Sequence, residues 1–341
     1  MNLKEKKILF ICPRFFGYEK FILEKLQLMG ASVIFLSDRA FDKPWQSALT
    51  KLFPSIATKL NSILYLKWLK NNNNNKSFDL MFVINGQTLS KQFLYEFKEL
   101  NPHAKLILYI WDSLKNKTTI QKKFKFFDRI LSFDPNDSKK YKLIFRPLFF
   151  LNNQNNLNKK SLKKSSNYLV FIGTIHSDRY KVIKTIEKAL PSNVKTFLYM
   201  HIQAPWVFWY YKIFNNMYRN AVKKEFNFLP IEQKLFENLY RNSCAVIDIE
   251  HPLQKGLTMR TLEALGAQKK IITTNSDIKN YDFYNPNNIK IISRTAKDYT
   301  INTSFFTTKY QEIDSSLYKK YSIDGWIKDI FSTDLMKDFC R

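Results

Sequence analysis

The sequence predicts an α/β protein built from two doubly wound units. Three observations predict it. Short apolar runs recur along the chain, each run is followed by a stretch with helical spacing, and one polar segment divides the series in two. The length agrees, because 341 residues at roughly 150 per domain make two domains. Strands that alternate with helices imply parallel sheets with right-handed crossovers.

Lys7 to Cys12 (KILFIC) is the first buried strand. Phe16-Gly17-Tyr18 leads into a helix over Glu19 to Met29, with Phe21, Ile22, Leu26 and Met29 as its apolar positions and Gly30 as its C-cap. Ser32 to Leu36 is the second strand. Ala48 to Leu69 is an amphipathic helical excursion broken near Pro54, and Asn71 to Asn75 is a polar surface loop. Leu80 to Ile84, Lys105 to Ile110 and Arg129 to Phe133 are further strands, with a helix over Ser90 to Leu100. They end at Asn85-Gly86-Gln87, Trp111-Asp112-Ser113 and Asp134-Pro135-Asn136. This first unit spans 1–150. Residues 151–166, rich in Asn, Lys and Ser, are the linker. The second unit spans 167–315. Its strands are Tyr168 to Ile172, Val194 to Met200, Ala245 to Ile249, Lys270 to Thr274 and Ile289 to Ile292. Its helices run over Tyr180 to Leu190, Ile231 to Asn242 and Thr258 to Leu265, the last closed by Gly266. Ligands in such sheets bind at the carboxyl ends of the strands.

Hydrophobic residues make up 45% of the chain and aromatics 16%, which excludes wholesale disorder. The net charge of +26 predicts an anionic partner: nucleic acid, phospholipid or a phosphate-bearing substrate. Part of that excess follows from a lysine-rich, AT-biased residue usage. No helix-turn-helix, zinc-finger or RRM text accompanies the charge, so nucleic acid is not the expected partner. Three cysteines without CxxC spacing argue against a disulfide framework or a zinc site. With no signal-peptide pattern and no apolar run of about 18 residues, a cytoplasmic protein is expected.

The most informative segment is HPLQKGLTMRTLEALGAQKKIITTN, His251 to Asn275. Thr258 is a fitting N-cap, and Gly256 permits close backbone approach to a ligand. The helix N-terminus suits phosphate, and Arg260 in its first turn can clamp phosphate oxygens. Glu263, one turn on, can accept bonds from both hydroxyls of a ribose. An ordinary βαβ crossover with Arg260 paired to Glu263 would also account for the pattern.

Lys255 to Gly266 (KGLTMRTLEALG) resembles the nucleotide-sugar half of GT-B glycosyltransferases, and among them the bacterial capsule and lipopolysaccharide type. Text matching covers about 25 residues, and the order of elements covers most of the chain. The resemblance implies a GT-B fold of two Rossmann-like domains facing across a cleft. Residues 316–341, with helical spacing at Tyr321, Trp326, Ile330 and Phe331, then form a terminal helix that crosses back to the first domain or lies on the surface. It implies a cytoplasmic transferase, peripheral on the inner membrane face, that moves a sugar from a nucleotide sugar to a glycan or lipid-linked glycan. Glu263 matches the second glutamate of the retaining-family E-x7-E pattern, which is assigned to the ribose. Lys255 replaces the first, and a cation there suits a diphosphate or an acidic sugar. Two other readings stand beside it: a polyol-phosphate transferase or inactive homologue of the same fold, and a basic nucleic-acid- or membrane-binding protein.

Donor candidates elsewhere are Gly173, Thr174 and Arg179, in a post-strand loop able to cradle a diphosphate, and Glu250 and His251 at a strand end. His176 is either a phosphate ligand, an acid or base, or a solvated loop residue. Acceptor candidates from the first unit are Arg14, Tyr18, Asn85 and Gln87. Asp112, at the end of an apolar strand beside Trp111, is the candidate base; an N-cap is its alternative, as for Asp134. Nothing in the sequence demands a metal or other cofactor, so Arg, Lys and a helix dipole are expected to stabilise the leaving group. Trp206 to Tyr218 (WVFWYYKIFNNMY) is either a membrane-interface element on anionic lipid or a helix packed in the core.

Overall fold

The structure, a computed structural model, describes residues 3–38, 54–71, 77–116, 118–151, 168–296 and 298–332. It divides into two units, one holding the chain up to Pro147 and again from Ile323, the other Leu148–Ser322.

The first unit runs β1 (Lys7–Cys12), α1 (Tyr18–Leu28), β2 (Ser32–Ser37), α2 (Pro54–Asn71), β3 (Leu80–Ile84), α3 (Lys91–Leu100), β4 (Lys105–Ile110), α4 (Thr118–Gln121), β5 (Arg129–Ser132), α5 (Pro135–Tyr141) and β6 (Ile144–Phe145). Its sheet is parallel in the order β2-β1-β3-β4-β5-β6. Every residue of β3 is buried, as is all of β4 after Lys105, which is why both read as unbroken apolar runs. α2 is described from Pro54, where a first-turn residue needs no N–H partner, and the earlier part of the expected excursion, 48–53, lies outside the described residues. Asp134 caps α5, accepting from the N–H groups of Asn136 and Asp137 at 2.9 and 3.2 Å. The expected loop at Asn71 to Asn75 and the linker lie almost wholly outside the described residues.

The second unit runs β7 (Tyr168–Thr174), α6 (Arg179–Ala189), β8 (Lys195–His201), α7 (Pro205–Phe214), β9 (Phe226–Asn227), α8 (Gln233–Asn242), β10 (Ala245–Asp248), α9 (Met259–Gly266), β11 (Lys270–Thr273), β12 (Ile289–Ile291), α10 (Thr303–Thr307) and α11 (Ser315–Tyr321). Its parallel sheet has the order β12-β11-β10-β7-β8-β9. Sequence-adjacent β7 and β8 lie on one side of the β7/β10 boundary and β11 and β12 on the other, so the winding reverses there. In the first unit the reversal falls between β1 and β3. Ligand crevices of open α/β sheets open at these reversals.

Gly266 is the last residue of α9, not a left-handed cap; Gln268 takes the left-handed conformation, with φ 52°. The glycine is needed for another reason: a Cβ there would stand 2.5 Å from Cγ of Phe150, so the ring packs directly on the helix backbone. After α11 the chain returns to the first unit as α12 (Ile323–Phe331). Trp326 of α12 is fully buried, edge-on to Tyr109 at 4.8 Å, and Phe331 meets Phe82 at 5.2 Å. Each such buried side chain contributes roughly 1.5–3 kcal/mol. Arg146, fully buried, pairs through Nε with Asp329 of α12 at 3.0 Å. No described helix is long and apolar enough to cross a membrane.

Candidate functional site

The second unit gathers its charged residues at the β7/β10 reversal. Asp248, the last residue of β10, is buried in an otherwise apolar strand. Its Oδ1 accepts from the Thr258 hydroxyl at 2.8 Å and Arg260 Nε at 3.0 Å, and its Oδ2 from the Thr261 hydroxyl at 2.5 Å. Thr258 also caps α9, accepting from the Thr261 N–H. One carboxylate therefore fixes both the start of α9 and its arginine. Arg260 Nη2 donates to the Ile249 carbonyl at 3.0 Å, and the guanidinium lies over the Phe171 ring at 5.6 Å. Gly173 makes room for it: a Cβ there would stand 2.7 Å from Arg260 Nη1. Gly173 and Thr174 are thus the end of β7, rather than a loop beyond it.

Two further arginines complete the cluster. Arg179, buried at the start of α6, donates through Nε to the Ile249 carbonyl and through Nη1 to the Thr174 carbonyl, both at 2.7 Å. Burial, and then the charge of Arg260, push its guanidinium well below its ordinary pKa. Arg294, just beyond β12, reaches Asp178 at 2.5 Å and both the carbonyl and Oε1 of Glu250 at 2.7 Å. Asp178 makes no capping bond to α6 and spends its carboxylate on Arg294. Glu250 Oε2 also accepts from the Thr274 hydroxyl.

His176 and His251 stand together at this end of the sheet, ring centroids 5.3 Å apart. Burial, followed by the charges of Arg179, His251, Arg260 and Arg294, lowers the His176 pKa from 6.5 to about 3. The imidazole is therefore neutral at ordinary pH. Because the folded value lies below the unfolded one, the unfolded chain takes a proton that the fold refuses. The stability tied to His176 is complete above pH 6.5 and is lost as pH falls from there toward 3, by up to about 1.4 kcal/mol per pH unit. Proton NMR of the His176 ring should show no titration between pH 8 and about 4, and added pyrophosphate should raise its pKa by offsetting the surrounding cations.

Of the donor candidates, Gly173, Thr174, Arg179, Glu250, His251, Thr258 and Arg260 meet at this point. Lys255 turns away to pair with Asp277 at 2.9 Å, and Gly256 accepts from the Gln254 amide at 2.8 Å within the same loop. Glu263 is only 1% exposed, and its Oε1 accepts from the Leu151 N–H at 3.4 Å. The ribose role implied for it requires an accessible carboxylate, whereas here it ties the start of the second unit to α9. Asp248, Asp178, Thr274 and Arg294 were missed. A lone carboxylate closing the apolar run AVID was a signal for Asp248. Arg294, one of the first residues past the last strand, had only that position to mark it.

In the first unit the strand ends form a separate cluster. Asn85, at φ 63°, accepts from the Trp111 N–H at 3.1 Å and donates to Asp112 Oδ2 at 3.4 Å. It therefore ties β3 to β4 and orients the half-buried Asp112. Gln87 gives its N–H to buried Asp38 at 3.0 Å. Lys123 donates to the carbonyls of Gly86 and Gln87, and burial lowers its pKa to about 8 against the pull of Asp38. Arg14 and Tyr18 flank Phe15 and Phe16 between β1 and α1, and Phe15 meets Trp111 at 5.9 Å.

No protein-family model and no curated protein matches the chain. Solved structures do. The chain is similar to the catalytic domain of starch synthase IV from Arabidopsis thaliana bound to ADP and acarbose, with a TM-score of 0.54 and 9% identity over 97% of this chain and 96% of that one. It is similar to a glycosyltransferase from Rickettsia africae, TM-score 0.51, 13% identity, 86% and 85% covered. It is also similar to HepE from Anabaena in complex with UDP, TM-score 0.50, 12% identity, 85% and 86% covered. At these identities the likeness shows the fold, which is GT-B with two Rossmann-like units.

Proposed function

We propose that the protein is a glycosyltransferase that takes a nucleotide-sugar donor at the β7/β10 reversal of its second unit. The observation that carries the reading is the convergence of Arg179, Arg260 and Arg294 with His176 and His251 at the carboxyl ends of the strands. A diphosphate is a ligand that such a cluster of N–H donors suits, and the similar structures include complexes with UDP and with ADP. In the transfer, an acceptor hydroxyl oxygen bonds to the anomeric carbon. The bond from that carbon to the diphosphate oxygen breaks, and the nucleoside diphosphate leaves with the electron pair. Arg260, neutral His176 and the start of α6 stabilise the leaving charge in place of a metal. The hydroxyl proton passes to Asp112, and Arg14, Tyr18, Asn85 and Gln87 serve the acceptor side. The acceptor is a glycan or lipid-linked glycan of the capsule or lipopolysaccharide type, handled in the cytoplasm at the inner face of the membrane.

A thermal-shift panel of UDP, GDP, CMP, dTDP and ADP tests the donor site. One nucleotide at about 100 times its Kd should add about 2.7 kcal/mol of stability. Gly173→Ala, which drives a methyl into Arg260 Nη1, should abolish that response. A panel with no response removes the reading, and a response unchanged in Gly173→Ala moves the nucleotide away from Arg260.

A further inference from the structure

We propose that α7 and the turn after it are a docking face for an anionic lipid bilayer. The argument rests on this surface alone, whatever the second unit transfers. Phe208 is buried, and Val207 and Tyr211 pack beside it against the core of the unit. That contact uses one side of α7. The other side carries Trp206, Trp209, Tyr210, Ile213 and Phe214, at the i, i+3, i+4, i+7, i+8 spacing of one helical stripe, and Met217 is exposed in the turn that follows. The stripe is bare: Trp206 is 65% exposed, Ile213 70% and Phe214 72%. Val222 and Leu229, later in the same segment, are exposed too. Contiguous apolar surface of this kind marks an interaction site, because water covers it at a cost.

The neighbouring charges identify the occupant. Arg219, Lys223 and Lys224 are exposed on the segment that follows α7. The only carboxylate between Gln203 and Pro230 is Glu225. It is half-buried and engaged by the Tyr180 hydroxyl at 2.9 Å and Lys184 at 3.1 Å. A stripe of Trp and Tyr, followed in the chain by exposed cations and by no exposed carboxylate before Pro230, matches the headgroup layer of an anionic membrane. The indole and phenol rings settle at the interface there and the basic residues meet lipid phosphates. With two tryptophans on the face and no spanning helix among the described residues, the mode is interfacial insertion. It would place the protein beside any acceptor carried on lipid.

The test uses full-length protein and large unilamellar vesicles, either pure phosphatidylcholine or containing about 30% phosphatidylglycerol. Co-sedimentation should show binding to the anionic vesicles, weakened by salt. Arg219→Glu with Lys223→Glu and Lys224→Glu should lower that binding by at least about 100-fold at low ionic strength. Trp206→Ser with Trp209→Ser and Phe214→Ser should abolish it, with circular dichroism and thermal unfolding as in the wild type. Brominated lipids supply a readout that needs no variant: tail-brominated phosphatidylglycerol should quench tryptophan emission of the wild type. Absence of binding to anionic vesicles overturns the proposal. So does binding equal in all three proteins, or a concentration-dependent dimer that the Ser substitutions disperse.

Discussion

Asp248→Ala is expected to destabilise the second unit by about 3–5 kcal/mol, because it strands a largely buried guanidinium. In thermal denaturation that loss reads as a fall of roughly 6–20 °C. The magnitude follows from what the carboxylate holds: Arg260, the Thr258 cap and the Thr261 hydroxyl all converge on its two oxygens. The Ala side chain leaves three donors without their acceptor, and an unmet buried donor costs more than a hydrogen bond contributes. Adding Arg260→Met should restore most of the lost stability, since the pair removed together leaves no orphan charge. The double variant should still fail to respond to nucleotide, which separates the pair's structural contribution from its ligand contribution. A single variant that melts within 2 °C of the wild type, about 1 kcal/mol or less, would show that Arg260 has found other partners.

The second large effect concerns turnover. Asp112→Asn keeps the shape of the side chain and its contact with Asn85 but cannot accept a proton. If Asp112 is the base, kcat should fall by about 10²–10⁴ while the stabilisation by nucleotide is retained. An unchanged kcat takes Asp112 out of the chemistry and leaves it as an anchor for the β4 end. The pairing of the two readouts matters, because a general loss of folding would lower both.

Much of the architecture was legible in the sequence because buried parallel strands have few alternatives. KILFIC, LMFVI, KLILYI and AVIDI are apolar, short and followed by helical spacing; the first three are strands at those positions, and the fourth is one over Ala245–Asp248. β6 and β9 were not legible, because two residues carry no period. The aromatic run at Trp206 offered two readings, core or surface, and the helix does both with opposite faces. At the site, Thr258 and Arg260 could be placed from capping and turn position alone. Arg294 could not: it joins Asp178 from 116 residues away and Glu250 from 44, and no local pattern encodes that meeting. Glu263 failed in the opposite sense. Its spacing from Arg260 was right for one helix face, but burial depends on what covers that face, and Phe150 and Leu151 cover it.

The packing of Phe150 on Gly266 gives the chain a mechanical property. The first residues of the second unit are gripped by α9 twice, by the Phe150 ring against the helix backbone and by the Leu151 N–H on Glu263. The same helix, about two turns long, carries Arg260 at its other end. One short helix therefore links the entry of the polypeptide into this unit to the carboxylate of Asp248, which holds the helix start through Thr258, Thr261 and Arg260. A side chain placed at residue 266 would meet the Phe150 ring and part this entry segment from the helix.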